Sequence, residues 1–110
     1  MAFETRTEGG SEVVVIDDAR LDAATAERFK GYLFEQIEQG PSHIVIDLSE
    51  VRFMDSSGLS VLVAGLKKLG DSGQMALAAP QPAVKDLFDL TSMNQLFTIK
   101  DSVAEAVKGS

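Results

Sequence analysis

Met54-Asp55-Ser56-Ser57-Gly58-Leu59 lies between two segments of opposite periodicity. Before it runs His43-Ile44-Val45-Ile46-Asp47-Leu48, short, apolar and rich in β-branched residues. That pattern reads as a buried strand. After it, Leu59, Leu62, Val63, Leu66 and Leu69 recur at helical spacing. The stretch is therefore a strand-to-helix handover, with its small polar residues at the helix N-terminus. Asp55, Ser56 and Ser57 all suit the N-cap. The first turn of a helix carries unpaired N–H groups and a partial positive charge, so a hydroxyl or a phosphate is well accommodated there. Taken by itself, such a junction also serves simply to cap and turn the chain.

Working outward, strands and helices alternate. Phe3 to Thr7 is a weakly alternating edge strand, and Glu8-Gly9-Gly10-Ser11 is a turn leading into a β-branched strand over Glu12 to Asp17. Asp22 caps a helix from about Ala23 to Gln39, with Ala26, Phe29, Leu33 and Ile37 on one face, and Gly40-Pro41 stops it. The strand over Ser42 to Leu48 has little alternation, which predicts a central position covered on both faces. The junction helix runs to about Leu69 and ends at Gly70-Asp71-Ser72-Gly73. Gln74 to Ala78 is a further strand. Pro82 opens a short helix carrying Val84, Leu87 and Phe88, which Thr91-Ser92-Met93-Asn94 breaks. Phe97 to Ile99 is a last short strand. Asp101 or Ser102 caps a terminal helix with Val103, Ala106 and Val107 inward. The order implies one α/β domain over residues 1–110, with a mixed, mostly parallel sheet of about four to five strands and about four helices. Working residues in such sheets gather at the carboxyl ends of strands, where Asp55-Ser56-Ser57 falls.

Composition narrows the function. The 110 residues suit one domain, and 45% hydrophobic with 25% charged residues is ordinary for a globular protein. A net charge of −7 argues against nucleic acid or an anionic membrane surface as partner. No cysteine is present, which removes disulfides, thiolate metal sites and cysteine nucleophiles and fits a reducing cytoplasm. Met1 to Arg6 shows no signal pattern, and no apolar run approaches the ~20 residues a membrane-spanning helix needs. A serine nucleophile needs a base held by a third group, and the chain has one histidine, His43, at a strand start. Neither Gly-x-x-x-x-Gly-Lys-Ser/Thr nor Gly-x-Gly-x-x-Gly occurs, and the carboxylates show no metal-binding or acid–base spacing. The expectation is a protein without a cofactor or catalysis of its own, whose serine is another enzyme's substrate.

Phe53-Met54-Asp55-Ser56-Ser57-Gly58-Leu59 with its Val/Leu-rich helix resembles the signature of the STAS family, closest to the bacterial anti-sigma factor antagonists. Leu21-Asp22 at the start of the first helix and Pro82-Ala83-Val84-Lys85-Asp86-Leu87-Phe88 match the family as well, so the resemblance covers nearly the whole chain. It implies a STAS-like fold that binds an anti-sigma factor which is also a serine kinase, releases the sigma factor, and is switched off by phosphorylation. The implied acceptor is Ser57, with Ser56 as fallback; Asp55, Gly58 and Asp22 support the site. The partner kinase would bring ATP, and a serine phosphatase would reset the switch. One departure is visible: the family often has glycine two residues before the leucine of Leu-Asp, where this chain has Ala19, followed by Arg20. Alternatives within the family are a regulator of a phosphatase, secretion or stressosome-like pathway, or a nucleotide-binding module.

The junction helix also suggests a docking face. Its inward stripe predicts Ser60, Val61, Ala64, Gly65 and Lys68 on the outside, and Ser60, Val61, Ala64 and Lys68 as partner-binding residues. The competing expectation for Val61 and Ala64 is that they pack beneath another element.

Overall fold

The computed structural model describes residues 3–109; Met1, Ala2 and Ser110, included in the expected domain, lie outside the described residues. The elements are β1 (Phe3–Glu8), β2 (Ser11–Ile16), β3 (Arg20–Leu21), α1 (Ala23–Glu38), β4 (His43–Asp47), β5 (Phe53–Met54), α2 (Ser56–Leu69), β6 (Gln74–Ala78), α3 (Pro82–Leu90), β7 (Thr98–Lys100) and α4 (Val103–Lys108). The main sheet has the order β1-β2-β4-β6-β7. Only the β1–β2 pair is antiparallel. Its two-residue turn places Gly9 and Gly10 at φ +57° and +85°, a conformation in which a side chain would be strained.

The β4 pattern has the expected cause. His43, Ile44, Val45 and Ile46 are all buried because both faces of this central strand are covered. Ile44 and Ile46 point into the larger core with Val14, Ile16, Met75 and Leu77, beneath Phe29 and Leu33 of α1, Leu62 of α2 and Phe88 of α3. Burying each such side chain contributes about 1.5–3 kcal/mol, so this face carries most of the stability. Val13, Val15, Val45, Ala76 and Ala78 form the smaller core on the opposite face under Ala106 of α4.

His43 belongs to this second face. It is 7% exposed, and its Nδ1 lies 2.6 Å from the Ser11 hydroxyl across the β2–β4 pair. Burial pushes its pKa below the ordinary histidine value. The folded state therefore binds a proton less readily than the unfolded chain. His43 destabilises the fold progressively as pH drops below about 6.5 and does not do so above it. The urea midpoint of the wild type should consequently fall more between about pH 7.5 and about pH 5 than that of His43→Gln. Equal falls in the two proteins would remove His43 as the cause.

The structure corrects the reading of residues 18–22 as a plain connection. Arg20–Leu21 forms a two-residue parallel ladder with Phe53–Met54, in the register Arg20↔Phe53 and Leu21↔Met54. Two residues are too short to leave a periodic signal in sequence. The ladder ties the starts of α1 and α2 together.

The outward face of α2 is a second correction. Val61 is 5% exposed and Gly65 is buried, both under α1. A Cβ on Gly65 would come within 2.7 Å of Leu33 Cδ2, so Gly65 lies tight against Leu33 of α1. Val63 and Leu66, expected inward, are half-buried instead. A helix packed on a sheet and also on a neighbouring helix buries a wider arc than one stripe shows.

Candidate functional site

Asp55 ends the small ladder in extended backbone (φ −118°, ψ −169°) and caps α2. Its Oδ1 accepts from the Ser57 N–H at 2.8 Å and from the Gly58 N–H at 3.4 Å. Two of the four unpaired amides of the first turn are thus satisfied by one carboxylate. Ser56 and Ser57 are the first two residues of the helix; Ser56 is exposed and Ser57 half-buried. Neither hydroxyl is held by a side-chain hydrogen bond among the described residues. The Ser57 side chain lines a groove between α1 and α2, with Ala23, Ala26 and Glu27 on one wall and Ser60, Val61 and Ala64 on the other. Replacing Asp55 with alanine should cost about 1 kcal/mol of stability, read from a denaturant midpoint. An unchanged midpoint would mean the cap contributes nothing.

Asp22 caps α1 in the same manner. Its Oδ1 accepts from the Ala24 N–H at 3.0 Å, and the Thr25 hydroxyl accepts from the Asp22 N–H at 3.0 Å. Its Oδ2 accepts from Arg20 Nε at 2.9 Å. That Arg20 hydrogen bond, with the helix amides adding to it, holds the Asp22 carboxyl below the usual carboxylate range. The Arg20 guanidinium also lies 4.7 Å from the centre of the Phe53 ring. Gly58 supports the site sterically: a Cβ there would meet the Leu21 carbonyl oxygen at 2.6 Å and Leu21 Cγ and Met54 Cγ at 2.9 Å. The first turn of α2 rests directly on the β3–β5 ladder.

The structure thus brings Asp22, Asp55, Ser56, Ser57 and Gly58 together. The expected docking residues divide. Ser60 is exposed, its hydroxyl donating to the Ser56 carbonyl at 2.8 Å, and Ala64 is half-buried. Val61 is the wall of the α1–α2 groove and not an outward residue. Lys68 lies at the far end of α2, roughly 16 Å along the axis from Ser57. It pairs there with Glu38 at 3.2 Å and sits 5.1 Å from the Phe34 ring centre.

Sequence reasoning missed the apolar side of the site. Ser56, Leu59, Ser60, Val63, Ala64 and Lys67 of α2 form a shallow groove with Met93. Met93 reaches it because Ser92 adopts a left-handed conformation (φ +60°) that turns the chain back after α3. Nearby on the chain, Leu90 is 84% exposed, and Phe53 is 44% exposed at the foot of α2. An apolar residue directly after a helix-breaking Thr-Ser pair was the available signal for Met93.

Known proteins resemble this chain in sequence and in fold. The STAS domain family matches residues 2–106. An anti-sigma F factor antagonist of Paenibacillus polymyxa is 30% identical over 97 residues, covering 86% of this chain and 83% of its own length. The anti-sigma-F factor antagonist RsfB of Mycobacterium tuberculosis is 28% identical over 89 residues, covering 81% and 73%. The crystal structure of an anti-sigma factor antagonist from Mycobacterium paratuberculosis superposes with a TM-score of 0.91 at 27% identity, covering 98% of this chain and 92% of that one. With a family match running through nearly the whole sequence, and with that fold setting Asp55, Ser56, Ser57 and Gly58 at the start of α2 and Asp22 at the start of α1, this chain belongs to the STAS domain family.

Proposed function

We propose that this chain is an anti-sigma factor antagonist. In its unphosphorylated form it binds an anti-sigma factor serine kinase in the cytoplasm and thereby frees the sigma factor. Phosphorylation at Ser57 ends the complex, and a serine phosphatase restores it. The observation that carries this reading is the Ser57 side chain: half-exposed at a capped helix start, its hydroxyl without a hydrogen bond among the described residues, on the groove between α1 and α2. Similarity to proteins named as anti-sigma factor antagonists supports the same partner class.

The chain's own share of the chemistry is to present the hydroxyl. The kinase supplies ATP, and its γ-phosphoryl group passes to Ser57 Oγ. ADP leaves, and the hydroxyl proton goes to a base on the kinase. A phosphoserine carries about −1.5 to −2 charges. At a helix N-terminus the helix itself favours that charge by roughly 0.3–1 kcal/mol, so the domain stays folded. The effect falls on docking, because a partner lying over Ser60 and Ala64, which line both the groove that holds Ser57 and the apolar groove beside it, would have to desolvate the dianion.

The test is calorimetric titration of the purified chain into an anti-sigma factor of its own organism, followed by release of sigma factor from the preformed complex. Binding with release supports the antagonist role. Absence of both, across the organism's anti-sigma factors, would contradict it.

A further inference from the structure

We infer that Arg20 is the receiver of the phosphate on Ser57: it gives up Asp22 and Phe53 for the phosphoryl oxygens, and in doing so uncovers the Phe53 ring. The inference rests on the reading of Ser57 as phosphoacceptor. It starts from register. Arg20 pairs with Phe53 and Leu21 with Met54, so the next step sets Asp22 beside Asp55, each capping its own helix. Helices α1 and α2 therefore begin abreast and run the same way. Ala23 and Ser57 share the start of the groove, Leu33 meets Gly65 farther along, and Glu38 pairs with Lys68 at the far end.

A phosphate on Ser57 thus arrives at a place already rich in carboxylate: Asp22, Asp55 and Glu27. Lys30 lines the groove about 10 Å along α1 from Ala23. Arg20 is two register steps from the two caps, on the same side of the ladder as both. Its ion pair with Asp22 and its stacking on Phe53 are surface contacts of a side chain that is 60% exposed, easily exchanged. A guanidinium matches phosphate oxygens in a two-pronged geometry that a single Nε contact to Asp22 leaves unused. The dianion offers it more charge than the carboxylate does. Once Arg20 turns, Phe53 loses its cover. Phosphorylation then alters the surface twice, by adding charge and by exposing an aromatic ring.

The experiment installs phosphoserine at position 57 during translation, so that no kinase is needed, and follows its titration by phosphorus NMR. The wild-type phosphate should lose its second proton about half a pH unit or more below that of Arg20→Ala. Arg20→Lys should recover part of the difference, and Lys30→Ala should leave it in place. The Phe53 ring protons should shift on phosphorylation in the wild type and not in Arg20→Ala. A phosphate that titrates alike in wild type and Arg20→Ala, or one moved by Lys30→Ala instead, would overturn the assignment. The parent reading fails separately, if the phosphoserine protein binds the anti-sigma factor as tightly as the unmodified one.

Discussion

Replacing Ser57 with aspartate should weaken binding of the anti-sigma factor kinase several-hundredfold, while Ser57→Ala should leave it within a few-fold of wild type. Among the described residues the Ser57 hydroxyl makes no hydrogen bond, so Ser57→Ala breaks none within the domain and leaves the docking surface uncharged. A carboxylate at the same position must be desolvated beside Ala23, Ala26, Val61 and Ala64 when a partner covers the groove between α1 and α2. An uncompensated charge in such an interface costs about 3–4 kcal/mol, which is the several-hundredfold factor. Calorimetric affinities of the two variants check this. Equal loss in both would mean the serine is a contact residue and not a switch.

Gly58→Ala should be the most destabilising small substitution near the site, lowering stability by about 2–3 kcal/mol and the melting temperature by about 10 °C. The added methyl would lie 2.6 Å from the Leu21 carbonyl oxygen, a backbone atom fixed by the Leu21↔Met54 pairing. Something must move: either the first turn of α2 or the β3–β5 ladder, and both hold site residues. Gly65→Ala is the internal comparison. Its methyl would meet the end of the Leu33 side chain, which can rotate away, and a helix-interior glycine replaced by alanine gains about 1 kcal/mol of helix propensity. Gly65→Ala should therefore cost distinctly less. A Gly58→Ala melt no lower than that of Gly65→Ala would show that the first turn of α2 is not pressed against the ladder.

Long-range features of the fold were legible because they rest on composition over many residues. The β-branched run at Ile44-Val45-Ile46 announced a central strand, and Ala26, Phe29, Leu33 and Ile37 announced the buried face of α1. Asp22 and Asp55 were legible as caps because a carboxylate before an apolar-periodic run has few other uses. The β3–β5 ladder was not legible, since its four residues pair through backbone atoms that any side chain carries. For Val61 the competing expectation, packing beneath another element, is the one the structure meets; periodicity shows that a helix has an apolar face, but not that a second helix covers its flank. Met93 joined the site only through the left-handed turn at Ser92, a conformation that a serine does not advertise.

The most direct measurement is phosphopeptide mapping of the intact chain after incubation with its anti-sigma factor kinase and ATP. The expected result is a single phosphoryl group on Ser57, abolished by Ser57→Ala. Incorporation that persists in Ser57→Ala, or no incorporation by a kinase that binds the chain, would contradict the account.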